Sequence, residues 1–285
     1  MKTTKKLGTR DYKLETSLYL CAMEETTVKS RWYDSIWAAL IFFTRLPFWR
    51  IYQPPQACYK SVVEFWPLAG WLTGGAMAAT LYFGSMILPH AVAVIAAIAV
   101  RLLITGALHE DGLADFLDGF GGGGDRERIL AIMKDSHIGT YGVLGLIIYM
   151  LLLGTALFSM TPVAGALTIL AADPFSKMVT SQLVSMLPYA RREEEAKNKT
   201  VYRKPTVAAG LSLMVQGLLP MIFMFKLLGP NWYLVMATPA LVVYFMYLLI
   251  HRKIHGYTGD CCGAVCLLAE LAIYLTVCSQ QLTNA

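Results

Sequence analysis

Seven of the chain's 19 acidic residues fall between positions 109 and 140. The stretch reads His109-Glu110-Asp111-Gly112-Leu113-Ala114-Asp115, then Asp118-Gly119, four glycines from Gly121 to Gly124, and Lys134-Asp135-Ser136. Asp111, Asp115 and Asp118 sit at i, i+4 and i+7, so a helix presents them on one face. Carboxylates stacked in that way repel one another, which calls for a cation among them. Hard oxygen ligands suit Mg²⁺ or Mn²⁺ better than zinc or copper. Asp111, Asp115, Asp118 and Asp135, with Glu110 beside them, are the candidate metal ligands. Together with Lys134 and a glycine-rich turn they supply what holds a divalent metal and a phosphate together. The plainer alternative is a solvated acidic face paired with Arg126 and Arg128.

A second candidate lies at His255-Gly256-Tyr257-Thr258-Gly259-Asp260. Glycines flanking a hydroxyl and a carboxylate at a helix start can offer backbone N–H groups to a phosphate. Asp260 is equally placed to be only the helix cap. Among the basic residues, Arg45, Arg101, Arg203, Lys204 and Lys253 read mainly as anchors to anionic headgroups. Lys177 differs, because it sits mid-span at i+4 from Asp173 and next to Pro174. It reads either as half of an ion pair or as a contact to substrate phosphate. Glu64, Glu270 and His137 read as structural.

The elements that must carry these residues are membrane helices. The chain has 285 residues, 56% hydrophobic and 15% charged, with a mean hydropathy of +0.52; soluble domains lie near a quarter charged. The expected fold is therefore all-α, a polytopic bundle of about seven transmembrane helices. Apolar stretches near 66–88, 90–108, 141–160, 163–187, 207–228, 231–250 and 262–280 each approach the ~20 residues needed to cross a bilayer. The segment 33–50, with three tryptophans, reads as an interfacial or re-entrant helix ended by Pro47. The second span is expected to run on as helix through 109–118 and to stop at Gly119 and the glycine run. Residues 125–135 should form a short helix capped by Asp125.

Lysines and arginines cluster in the N-terminal arm, the acidic connection, the 188–206 loop and the 251–261 loop. The turns at Pro89-His90, Thr161-Pro162 and Gly229-Pro230-Asn231 have none. Seven spans put every basic connection on one side, which the positive-inside rule makes cytoplasmic. The N-terminus and the acidic site would then face the cytoplasm and the C-terminus the outside. The net charge of +5 is thus a topology signal with no nucleic-acid footprint. Residues 1–30 read as a polar arm without a secretory signal, mobile or lying on the membrane surface; 31–285 read as one membrane-embedded catalytic domain. The six cysteines lack paired metal spacing and read as reduced packing residues.

The acidic string, followed by Met133-Lys134-Asp135-Ser136-His137-Ile138-Gly139-Thr140-Tyr141-Gly142, resembles the signature of the cobalamin synthase family, the adenosylcobinamide-GDP ribazoletransferases. Phe43-Thr44-Arg45-Leu46-Pro47, Phe65-Trp66-Pro67-Leu68-Ala69-Gly70, Leu187-Pro188-Tyr189-Ala190-Arg191 and Gly256-Tyr257-Thr258-Gly259-Asp260 with Gly263 and Glu270 match in family order. The similarity runs from about residue 33 to 275. Two positions depart from the pattern: Lys177-Met178, where relatives usually carry arginine and often tryptophan, and Glu193-Glu194-Glu195, where glycine is usual.

The resemblance implies a transferase of the bacterial inner membrane with Mg²⁺ as cofactor. It would join adenosylcobinamide-GDP to α-ribazole, or its 5′-phosphate, and release GMP. On that reading Asp135, Lys134 and Asp118 are the catalytic candidates. Arg45, His109, Lys134, Lys177, Thr258, Gly259 and Asp260 are the substrate-binding ones. Trp32, Trp37, Trp49, Tyr141 and Tyr257 either meet the corrinoid or form the interfacial belt. Besides its substrates, the lipid bilayer is the expected partner, nucleic acid is not, and a homo-oligomer is left open. A CDP-alcohol phosphotransferase making phospholipids shares the metal chemistry but would carry an Ala-Arg and a final Asp-x₃-Asp that are absent here. An ion-coupled transporter would show matched halves.

Overall fold

A computed structural model describes residues 31–191 and 201–283, with the side chains of 281–283 left out. The expected N-terminal arm, Cys21 and the Glu193-Glu194-Glu195 segment lie outside the described residues. The described residues form eleven α-helices. Helix α1 is Asp34–Phe43, and two 3₁₀ segments, Phe48–Arg50 and Gln56–Phe65, lead into α2 (Trp66–Gly84). Then come α3 (His90–Thr105), α4 (Leu108–Gly122), α5 (Arg126–Lys134), α6 (Thr140–Phe158), α7 (Pro162–Thr180) and the short α8 (Gln182–Met186). The chain closes with α9 (Val207–Leu228), α10 (Trp232–Ile254) and α11 (Gly259–Thr283).

Helices stand at all seven expected span positions. Four of them, α6, α9, α10 and α11, are long and apolar enough to cross a membrane, and α3 with α4 counts as a fifth if taken as one broken segment. Helices α2 and α7 have 19 residues each but are diluted by small and polar side chains, so length and composition alone do not reach seven. Helix α7, with Asp173, Ser176 and Lys177 all buried, packs against α2, α9 and α11. Helix α11 packs in turn on α4, α6 and α10. The protein interior, rather than lipid, receives the polar groups of these central helices.

Two local expectations need correction. Helix α1 ends at Phe43, with Thr44 extended, so Pro47 lies beyond its end. The second span does not continue through 109–118: α3 stops at Thr105 and α4 leaves at 89° to it. The break is made by Gly106 (φ +64°) and Ala107 (φ +54°), both left-handed, a region that glycine enters freely and alanine only at a cost of roughly 1–2 kcal/mol. Arg45 holds the corner. Its N–H donates to the Ile104 carbonyl at 2.6 Å, and a Cβ on residue 106 would lie 2.4 Å from its Nε. Helix α4 runs past Gly119 and ends at Gly122, inside the expected glycine run. Helix α5 forms as expected, with the Asp125 carboxylate accepting from the Arg128 N–H at 2.8 Å.

Candidate functional site

Helix α4 carries the acidic motif, and its position follows from a contact between glycines. Gly112 on α4 faces Gly263 on α11. A Cβ on Gly112 would meet the Asp260 backbone at 3.2 Å, and one on Gly263 would meet the His109 carbonyl at 3.1 Å. Small residues let two helix backbones approach in this way. The approach brings Asp111 and Asp260 onto the wall of one cavity of about 160 Å³. Arg191 completes its charged lining, and Phe42, Phe43, Trp66, Tyr189 and Tyr202 supply aromatic surface.

The start of α11 is capped by Thr258, whose Oγ1 accepts from the Cys261 N–H at 3.3 Å. Asp260 is therefore not the cap, and it remains on the cavity wall. Gly259 also lines the cavity, whereas Thr258 is buried behind it. Arg191 is placed by a short parallel pairing of Tyr189 with Tyr257, in which the Tyr257 N–H donates to Pro188 O at 2.9 Å and the Ala190 N–H to Tyr257 O at 2.8 Å. Its guanidinium also donates to Leu130 O on α5 at 3.0 Å.

His109 and Trp66 share this cavity. Their rings lie 5.7 Å apart, and Phe43 stacks on Trp66 at 5.2 Å with 9° between the planes. His109 Nε2 and Trp66 Nε1 are both buried and without a hydrogen-bond partner among the described residues. Buried polar groups are nearly always paired, so two such atoms on one wall are an exception that a ligand would account for.

The five expected metal ligands do not converge. Among the described residues, no three His, Cys, Asp or Glu side chains gather closely enough to hold a metal ion. Asp118 is buried and accepts from Gly139 N–H at 2.6 Å and Gly142 N–H at 2.8 Å. Each carboxylate oxygen thus accepts from the start of α6, where Asp118 caps the next helix. Glu110 is buried against Arg101 (3.3 Å), which also grips both oxygens of Glu270 at 2.8 and 2.9 Å and donates to Tyr149 Oη at 2.9 Å. It belongs to a structural network joining α3, α4, α6 and α11, and Arg101 is no headgroup anchor. Asp135 is exposed after α5 and pairs with His137 Nδ1 at 2.7 Å. That bond holds the carboxyl below its usual range and lifts the imidazole above its own.

Asp111 and Asp115 lie one turn apart on α4. This small donor set fits Mg²⁺, which commonly takes one or two carboxylates and completes its shell with substrate phosphate and water. Lys134 lies outside the cavity, in a shallow depression that shares Tyr189 and Arg191 with it. Arg45 and Trp49 line a second, more open cavity of about 640 Å³, which shares Phe42 and Leu108 with the first. Lys177 is buried and paired with Asp173, which also accepts from Thr73 Oγ1 at 2.7 Å. The ion-pair reading therefore replaces the phosphate contact. Of the aromatic residues expected at the corrinoid, Tyr257 is buried and Trp49 lines the second cavity. Phe43, Trp66 and Tyr202 were not recognisable as cavity residues in the sequence, because only tertiary packing aligns them.

Residues 35–278 match the family model described as cobalamin-5-phosphate synthase. A protein of Leptospira interrogans named adenosylcobinamide-GDP ribazoletransferase is 34% identical over 249 residues, covering 84% of this chain and 93% of the relative. Proteins of the same name from Shewanella baltica and Leptothrix cholodnii are 32% and 35% identical, over 86% and 83% of this chain and 93% and 92% of their own lengths. No solved structure matches.

Proposed function

From the premise that the chain belongs to the cobalamin-5-phosphate synthase family, we propose how its residues serve that reaction. The protein is a membrane transferase that joins adenosylcobinamide-GDP to ribazole in cobalamin biosynthesis. A ribazole hydroxyl oxygen forms a bond to the phosphorus that carries the cobinamide, the bond from that phosphorus to the bridging oxygen breaks, and GMP leaves with that oxygen. The hydroxyl proton passes to water at the open mouth, since a loose phosphoryl transfer asks for little base strength.

The observation that carries the residue assignment is the meeting of Asp111, Asp260 and Arg191 on one cavity wall. Arg191 faces the pyrophosphate and balances the charge that shifts to the leaving phosphate, and Lys134 meets it from the adjoining depression. Asp111 and Asp115 would hold Mg²⁺ against the same phosphates; when bound, the ion neutralises their charge and orients them. Arg45, in the open second cavity, faces the cobinamide side of the donor. That cavity and the membrane surface leave room for a large corrinoid, which the inner cavity does not. This reading turns the face toward the cytoplasm, which the basic connections support.

The test is GMP release from adenosylcobinamide-GDP and α-ribazole by the protein in nanodiscs. Asp111→Asn should lower turnover by at least 100-fold, and a chelator should do the same to the wild type. Full turnover of Asp111→Asn, or GMP release indifferent to chelator, overturns the roles given to Asp111 and the metal.

A further inference from the structure

Two residues that line the inner cavity, Trp66 and His109, carry buried ring nitrogens, Nε1 and Nε2, with no hydrogen-bond partner among the described residues. Both side chains are at least nine-tenths buried, with Trp66 3% and His109 5% exposed. Both line the same wall, their rings 5.7 Å apart. The indole N–H can only donate, and the imidazole donates from Nε2 when its proton is there. Asp260, which accepts, lines the same space. A ligand that satisfies this set is flat enough to lie along aromatic rings, offers two neighbouring acceptors on one edge, and carries donors on another.

Resting on the reaction assigned above, which puts two heteroaromatic bases within reach of one site, we propose that this cavity is the guanine subsite of the GDP group. Guanine presents O6 and N7 as adjacent acceptors, matching Trp66 Nε1–H and His109 Nε2–H. Its N1–H and 2-amino group then face a carboxylate, which Asp260 provides. Adenine places an amino donor where guanine has O6, so a donor would meet a donor. The benzimidazole of ribazole offers one free ring nitrogen and no N–H, leaving one of the two donors and the carboxylate unanswered. A cavity of about 160 Å³ is on the scale of a single base and too small for the corrin ring. With the base inside, the phosphates emerge toward Asp111 and Arg191, where the reaction requires them.

The test is equilibrium binding of GDP, ADP, 7-deaza-GDP and α-ribazole to the full-length protein in nanodiscs with Mg²⁺. The wild type should bind GDP at least tenfold more tightly than ADP or 7-deaza-GDP, the order of one buried hydrogen bond lost or one donor left unpaired. Trp66→Phe keeps an aromatic ring and removes the N–H; it should weaken GDP about tenfold and leave α-ribazole unchanged. His109→Ala should remove the preference for GDP over 7-deaza-GDP. Equal binding of GDP and ADP by the wild type overturns the proposal, and this comparison holds even if neither variant folds. A Trp66→Phe effect on α-ribazole instead of GDP also overturns it and assigns the cavity to the benzimidazole. The reaction itself is read separately: a wild type that prefers GDP but releases no GMP from its substrates contradicts the proposed function and leaves the guanine subsite standing.

Discussion

Asp118 is where a metal-ligand role and a structural role predict different things. Alanine there removes a carboxylate that accepts two backbone hydrogen bonds, from Gly139 at 2.6 Å and Gly142 at 2.8 Å. Both N–H groups belong to the start of α6, which has no other side-chain cap. Hydrogen bonds to an ionised group contribute about 1.5–3 kcal/mol each. A negative charge at a helix N-terminus adds roughly 0.3–1 kcal/mol. Part of this is offset because alanine no longer has to be desolvated as an ion, so the net loss should be about 3 kcal/mol. Asparagine is little better, since its amide nitrogen would turn a donor toward a donor. At roughly 2–4 °C per kcal/mol for a chain of this size, the melting midpoint should fall by about 6–12 °C. Thermal unfolding in detergent, followed by tryptophan fluorescence, reads this directly. An Asp118→Ala protein that melts with the wild type yet has lost its dependence on Mg²⁺ would show that the carboxylate serves the metal, and the capping argument would fall.

Three further outcomes follow from other contacts. Gly263→Ala inserts a methyl 3.1 Å from the His109 carbonyl; by prising α4 from α11 it should cut turnover at least tenfold with little change in melting, checked by kcat and thermal unfolding side by side. Arg101→Ala strands two buried carboxylates and should cost about 3–5 kcal/mol, measured by denaturant unfolding, whereas adding Glu270→Gln should recover part of that loss. Because the Asp135 hydrogen bond raises the His137 pKa above its ordinary value, the ring should titrate late in NMR, and Asp135→Asn should return it to normal. The sign is that of a stabilised imidazolium: the pairing is complete below the ordinary histidine pKa and disappears as pH rises through the raised one. Both groups are exposed, so the melting temperature should not follow.

Apolar stretches near the length of a bilayer made the seven helix positions legible without a structure, and Asp125 announced α5 because a cap is a local signal. The corner at Gly106 was hidden, because one glycine inside an apolar pattern does not distinguish a helix interior from a break; what decides is Arg45, sixty-one positions earlier, packed against it. Asp118 illustrates the same limit. Its i+7 spacing from Asp111 places it on a helix face, but the two N–H groups it accepts from come from another helix. The family pattern drew Lys177 toward the substrate, and burial beside Asp173 drew it into the core. Asp111, expected at a metal, and His109 and Asp260, expected at the substrate, come to line one cavity because motif and spacing coincide with the α4–α11 contact. Trp66 stood out only as part of the family motif Phe65 to Gly70, and nothing in its local pattern marked it as lining a cavity.

The buried guanidinium of Arg101 also bears on how the protein is made. Its principal counter-charge, Glu270, lies 169 residues further along the chain, on the last helix. At about 5–20 residues per second, synthesis leaves the arginine without that carboxylate for roughly 10–30 s. An unpaired arginine at the centre of a membrane helix costs about 2.5–3.5 kcal/mol on insertion scales; Arg101 lies toward the end of α3 and has Glu110 nine residues on, so the early hairpin enters the bilayer with its charge partly neutralised. Arrival of the final segment closes the bundle, which makes the C-terminal helix a checkpoint in biogenesis: chains truncated before residue 270 should be left for membrane proteases to clear.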